Sequence, residues 1–198
     1  MPTPVEILMD EHRVIEQVLA CVEKMADRCA AGAPVDADSA RNAVDFLRTF
    51  ADTCHHGKEE DCLFPAMEKL GVPREGGPIG VMLEEHEMGR RHIRGMSGSI
   101  DSAAAGAADA RRDFQHHARA YVDLLRQHIL KEDNVLFPMA DQVMAPADQK
   151  ALMDRFEQVE HHDMGTGTHE KYLGLAHDLA QKFGITPEAA RAHHAGFA

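Results

Sequence analysis

The chain has 198 residues and a formal net charge of −12, with 14 histidines, 4 cysteines, 2 tyrosines and no tryptophan, a size that bounds one domain, or one domain with an appendage. The acidic balance opposes binding to nucleic acid or to an anionic membrane, both of which need clustered Lys and Arg. No run approaches the roughly 18 apolar residues that span a bilayer, and the first thirty residues lack a basic start followed by an apolar stretch, so the expected location is the cytoplasm.

Strict apolar–polar alternation is nearly absent, and the three-and-four spacing of amphipathic helices runs through most of the chain, which predicts an all-α protein. The first predicted helix runs from about Pro4, a favourable first-turn proline, to about Ala30, with a stripe of Leu8, His12, Ile15, Leu19, Val22 and Ala26. Cys21, Cys29, Cys54 and Cys62 form no C-x-x-C pair and read as reduced thiols in or near helices. After the break at Gly32-Ala33-Pro34, a second helix starts near Asp38-Ser39 as its cap and carries Val44, Ala51, His55, Glu59 and Cys62 on one face. Gly71, Pro73, Gly76, Gly77 and Pro78 separate it from a third, striped by Ile79, Leu83, His86, Arg90 and Ile93. A small-residue loop around Ala103 to Ala108 leads to a fourth, with Phe114, His117, Tyr121, Leu124, His128, Glu132 and Val135 on one face and an end near Met144. The tail adds Leu152, Phe156, Val159 and then Tyr172, Ala176, Leu179, Phe183, as one helix broken at Gly165 and Gly167 or as two. Thr186-Pro187 could open a last short helix, and the segment around His193-His194 has too little apolar content to predict as ordered. The expected architecture is an up-down-up-down four-helix bundle over 1–145 with a C-terminal helical extension over 146–198 packed on it.

One pattern occurs twice. His55-x-x-x-Glu59 followed by Leu63-Phe64-Pro65 recurs 73 positions later as His128-x-x-x-Glu132 followed by Leu136-Phe137-Pro138. Residues four apart on a helix are turned by about 40° and displaced by roughly 6 Å, so each His–Glu pair can reach one metal or adjacent metals. His12 and His86 lie about two turns into their helices, and 43 residues separate His12 from His55 where 42 separate His86 from His128. In an antiparallel bundle all six groups then converge near one end, which makes His12, His55, Glu59, His86, His128 and Glu132 the candidate metal ligands. Four imidazoles and two carboxylates suit iron, manganese, zinc or copper rather than calcium or magnesium. The lone histidines and the His-before-Glu order differ from the Glu-x-x-His pattern of ferritin-like bundles.

Other residues read more plainly. His56, Glu60 and Asp133 neighbour the ligands but point about 100° away from them, an outer or surface position. Tyr121 lies about 10 Å along its helix from His128 and reads as a packed core tyrosine, with a pocket-lining or redox-active phenol as the alternative. His117 reads as structural and His92 as solvated; His161, His162, His169 and His177 read as surface residues, and no pattern supports a cap over the site by His169 or Tyr172.

Asp10-Glu11-His12-Arg13, the His55 to Pro65 run, Glu85-His86-Glu87-Met88-Gly89-Arg90 and the His128 to Pro138 run together resemble the hemerythrin-like (HHE cation-binding) family, over roughly residues 4 to 145. The resemblance implies a non-heme centre of two iron ions, oxo- or hydroxo-bridged, on those six ligands, with dioxygen, peroxide or nitric oxide as the small-molecule partner. Oxygen-carrying members have a second histidine where this chain has Arg90, and arginine does not ligate metal as a cation. Reversible oxygen carriage is therefore not expected; a protein that binds or reductively handles a small oxidant is, with Arg90 beside a bound anion or peroxide, and a sensing or binding module without turnover or a structural metal protein are the alternatives. Members that repair iron centres have an additional N-terminal cysteine-bearing domain, whereas this sequence begins directly with its first helix, so repair is not the primary expectation.

Overall fold

The computed structural model describes residues 2–160, 165 and 167–191; His161, His162, His193 and His194, whose placement the sequence addressed, lie outside the described residues. The elements are helical throughout, with no strand among the described residues. Helix α1 is Pro4–Ala30. Its start is a reciprocal cap: Thr3 Oγ1 accepts the Glu6 N–H at 3.2 Å and Glu6 accepts the Thr3 N–H at 2.7 Å, with Pro4 in the first turn. The second run begins as α2, Ala37–Phe46. Its cap is Asp36, whose carboxylate accepts the Ser39 N–H at 3.2 Å, so the start falls just before the expected Asp38-Ser39.

That run continues through wider π turns at Leu47–His56 and Glu59–Leu63 into α3, Phe64–Lys69. Helix α4 spans Pro78–Ala104, and α5, Ala108–Lys131, passes through a π turn at Glu132–Leu136 into α6, Phe137–Val143. The tail forms two helices, α7 at Pro146–Gln158 and α8 at Thr168–Phe183, followed by the short α9 at Pro187–Arg191.

Cross-helix pairs set the packing. Glu23 and Asp27 of α1 meet Arg126 and Arg119 of α5 at 2.8 and 2.9 Å, and Arg41 of α2 meets Asp101 of α4 at 2.5 Å. On α4 and α5, His92 sits 3.2 Å from His117 while Glu85 pairs with Lys131, so numbers rise on one helix as they fall on the other. Two glycines permit the close approach of α4 to α5. A Cβ at Gly89 would lie 3.3 Å from Tyr121, and one at Gly95 would lie 2.3 Å from the His117 ring.

The apolar interior is in two parts. One holds Ile15, Leu19, Phe46, Phe50, Ala51, Ile93, Phe114, Tyr121 and Ile129; the other holds Leu8, Cys62, Leu63, Phe64, Ile79, Met82, Leu136 and Phe137. On each long run the gap between them falls where the sequence places a histidine or glutamate: His12, His55 with Glu59, His86, and His128 with Glu132. A polar layer therefore lies between two oily ones. The tail closes both, with Tyr172, Ala176, Leu179 and Phe183 of α8 in the first part and Leu152 and Phe156 of α7 in the second. Each such buried side chain contributes about 1.5–3 kcal/mol of burial.

Candidate metal centre

The repeated Leu-Phe-Pro explains the π turns that begin at Glu59 and Glu132. A regular helix would bond the N–H of residue 65 to the carbonyl of Asp61, but proline has no N–H and its ring crowds that oxygen. The chain responds by widening: Phe64 N–H bonds to Glu59 O, five residues back, and Phe137 N–H bonds to Glu132 O in the second copy. The Asp61 carbonyl released by Pro65 accepts from Arg155 at 3.0 Å. The extra residue in the turn shifts everything after it, so Val135, expected on the inner face, is 53% exposed and Leu136 takes its place in the core. The two phenylalanines reach across the centre. Phe64 stacks near His86 with centroids 6.1 Å apart, and Phe137 near His12 at 5.4 Å.

All six predicted ligands are buried and brought close together. His12 Nε2 and His128 Nε2 each come to 3.2 Å from a Glu132 oxygen, while His55 Nε2 and His86 Nε2 come to 3.8 and 3.4 Å from Glu59. The other nitrogen of every ring faces a carboxylate: His12 Nδ1 to Asp133 at 2.7 Å, His55 Nδ1 to Glu11 at 2.9 Å, His86 Nδ1 to Glu60 at 2.6 Å and His128 Nδ1 to Glu85 at 2.9 Å. A carboxylate there takes the Nδ1 proton as a hydrogen bond, which leaves the Nε2 lone pair turned inward and orients the ring for a metal. These four carboxylates are held in turn by cations. Lys58 Nζ lies 2.5 Å from Glu11, Lys131 pairs with Glu85, Arg13 with Asp133, and Arg90 Nη2 with Glu60 at 2.7 Å.

Of the interior atoms, His86 Nε2 and His128 Nε2 face each other at 3.1 Å, and the others have no comparable partner. His12 Nε2, His55 Nε2 and both oxygens of Glu59 and of Glu132 are buried without a hydrogen bond, the pairs at 3.2 Å lacking suitable geometry. Unpaired buried polar atoms are costly, and six that converge match the donors of a bound cation. Electrostatics agree. By its side chains alone, burial pushes the Glu59 carboxyl well above its usual range and the facing Glu132 pushes it further. Burial also opposes the Glu132 charge, but His128 and His12 hold that carboxyl well below the usual range. Burial likewise opposes protonation of His128, which Glu132 and Glu85 nonetheless raise to about 9, whereas burial and then His56 lower His86 to about 2. Burial would raise Glu11, yet His55 and Lys58 reverse it and leave the carboxyl at about 2. Two interior carboxylates that resist sharing full charge call for positive charge between them. The donors separate into two overlapping groups, His12, His55, Glu59 and Glu132 in one, and His56, Glu59, His86 and His128 in the other, with the ligand atoms of each group within 4.8 Å of one another.

Of the outer or surface positions expected for His56, the structure removes the surface one: it is 4% exposed and its ring stacks on His86 at 3.8 Å between centroids. It lies in the first π segment, where more residues share each turn and neighbouring side chains diverge less than on an α-helix. Glu11 and Glu85, which sequence reasoning passed over, stand immediately before His12 and His86, and each serves the histidine of another helix. Arg90 does not point its donors into the centre: its guanidinium bonds Asp52 at 2.8 Å and Glu60 and Glu87 each at 2.7 Å. Tyr121 is buried among the apolar residues with its hydroxyl unpartnered. His92 and His117 pair away from the centre, and His169 of α8 lies 3.9 Å from Glu11. A surface cleft of about 300 Å³ lined by Ile7, Asp10, Glu11, Val14, His169 and Leu173 reaches Glu11 from outside.

Residues 3–140 match the Hemerythrin HHE cation binding domain, and the chain belongs to that family. It is 26% identical over 183 residues to uncharacterised proteins of Mycobacterium bovis and Mycobacterium tuberculosis, an alignment covering 92% of this chain and 71% of each relative. A shorter stretch of 88 residues is 32% identical to the iron-sulfur cluster repair protein YtfE of an Enterobacter species, covering 43% of this chain and 40% of that protein.

Proposed function

We propose that the four long helical runs form an up-down-up-down bundle over residues 1–145, with 146–198 as its extension, and that the bundle holds two iron ions on His12, His55, Glu59, His86, His128 and Glu132. The observation that carries this is the inward convergence of four Nε2 atoms and two carboxylates, with the Nε2 of His12 and His55 and all four carboxylate oxygens unpartnered and each ring fixed from behind by a carboxylate on Nδ1. The mixed nitrogen and oxygen set suits a redox-active first-row metal. Such a pair, when bound, supplies the electron transfer by which a small oxidant (dioxygen, peroxide or nitric oxide) is bound or reduced. The protein's own part is positional. The outer carboxylates keep each imidazole in one tautomer, and the two oily layers on either side of the centre limit water. No described helix is long and apolar enough to cross a membrane, and we place the protein in the cytoplasm. Turnover is tested by supplying peroxide or nitric oxide in many-fold excess over iron-loaded protein, together with an excess of a chemical reductant that re-reduces the iron, against a protein-free control. Consumption well beyond the iron present makes it an oxidoreductase; a single stoichiometric reaction makes it a binding or sensing module.

The likeness to YtfE favours a second reading, service to iron-sulfur centres. Restoration of a damaged four-iron cluster in a test protein by the loaded chain, but not by its His128→Ala variant, would support it. No restoration with the loaded chain would remove it.

A further inference from the structure

We propose that Glu11, Cys54 and His169 form a further metal site, outside the centre described above, for a borderline-soft divalent ion such as zinc. A carboxylate oxygen of Glu11, the Cys54 sulfur and a ring nitrogen of His169 lie within 4.8 Å of one another. They come from three elements: α1, the π segment Leu47–His56 and α8. Two of the three are not placed as packed or surface residues would be. Cys21, Cys29 and Cys62 sit inside the two apolar clusters, whereas Cys54, only 2% exposed, belongs to neither. His169 leaves part of its ring in the surface cleft, yet its Nδ1 is buried without a hydrogen bond. That nitrogen lies 3.9 Å from a Glu11 oxygen, too far for a hydrogen bond and within the span of two donors that each lie about 2 Å from one ion. A histidine that only rimmed the cleft would turn this nitrogen to water.

Glu11 already has two partners, since Oε2 takes the Nδ1 proton of His55 at 2.9 Å and Oε1 accepts from Lys58 at 2.5 Å. Neither closes the site. A carboxylate oxygen accepts through two lone pairs, and Lys58 has a second carboxylate in Glu160, on which its ammonium stays when the ion takes Oε1. Charge favours the ion: Glu11 and Glu160 outweigh Lys58 by one negative charge, and a divalent ion bound to the Cys54 thiolate brings the group to neutrality. The metal–sulfur bond forms as the S–H bond breaks, and the proton leaves to water in the cleft of about 300 Å³ that reaches Glu11 from outside. Thiolate and imidazole beside a carboxylate select zinc over calcium or magnesium, and over ferrous iron by intrinsic affinity.

Cobalt(II) is the probe, because a thiolate bound to it gives an intense near-ultraviolet absorption that imidazole and carboxylate ligands do not. Anaerobic titration of the full chain, already loaded with ferrous iron, should raise that band to an end point of one cobalt per chain. Cys54→Ser should abolish the band with iron content unchanged, and His169→Ala, at a partly exposed residue, should weaken cobalt binding by about tenfold or more. No band in the unaltered chain, or the same band in Cys54→Ser, would overturn the proposal. Should Cys54→Ser not fold, His169→Ala decides, and a titration midpoint unchanged by it would overturn the proposal as well. Failure of the two-iron reading leaves this test intact, because the band reports sulfur ligation alone.

Discussion

Lys58 and Lys131 occupy the same place in the two repeats, each paired with the carboxylate behind a ligand histidine, yet the first side chain is 0% exposed and the second 41%. The ligand frame repeats almost residue for residue: Glu11 behind His55 answers Glu85 behind His128, and Glu60 behind His86 answers Asp133 behind His12. What differs is the surroundings. Glu160, at the end of the α7 run, reaches Lys58, Phe156 lies under its ammonium at 5.7 Å, and Arg155 takes the Asp61 carbonyl. The tail thus seals the first half, while the Glu85–Lys131 half remains open to water. A duplicated frame of candidate ligands can be given two different dielectric settings by a segment that contributes no predicted ligand.

The ligand frame itself carries the largest expected effect. His128→Ala should reduce uptake from two metals to at most one, and His92→Ala, off the centre, should leave it unchanged; equal losses in metal titrations would dismantle the assignment. The contrast between the lysines comes next. Lys58→Ala strands the buried Glu11 charge and should destabilise the metal-free protein by about 3–5 kcal/mol, whereas Lys131→Ala should cost about 1 kcal/mol or less. Urea midpoints measure both, and similar shifts would mean the two halves are not differently sealed.

Acid sharpens the same comparison. Glu11 sits at about 2 in the folded chain against an ordinary 4.5, so its contribution is present above the ordinary value and is lost as pH falls toward 2. Metal-free stability should drop across that window, and drop less steeply in Lys58→Ala; identical acid profiles would remove Lys58 from the account. The smallest effect is Arg155→Ala, which should cost about 1 kcal/mol by leaving the Asp61 carbonyl to water. A thermal midpoint unchanged by that substitution would show the contact to be incidental.

Much of this was legible in the residues. Apolar spacing defined the helices, the 73-residue repeat selected His55, Glu59, His128 and Glu132, and the level of His12 and His86 in their helices added the two others that the structure brings together with them. Of the four outer carboxylates, Glu60 and Asp133 read as outer or surface positions, but Glu11 and Glu85 were not legible, because they serve histidines on other helices and helical spacing carries no information about that. A signal existed in the lysines, since Lys58 and Lys131 also recur in register. Val135 was misplaced for a different reason: a fixed angle per residue does not hold through the π turn Glu132–Leu136. The proline at 138 was the available warning, as it removes the donor that would close an ordinary turn.

Metal per chain after anaerobic loading with ferrous iron and removal of excess tests the central claim most directly. Elemental analysis should return close to two irons per chain, falling to one or none in Glu59→Ala, whose carboxylate belongs to both donor groups. One metal in the unaltered chain, zinc retained in place of iron, or no retention at all would contradict the account of a shared two-iron centre.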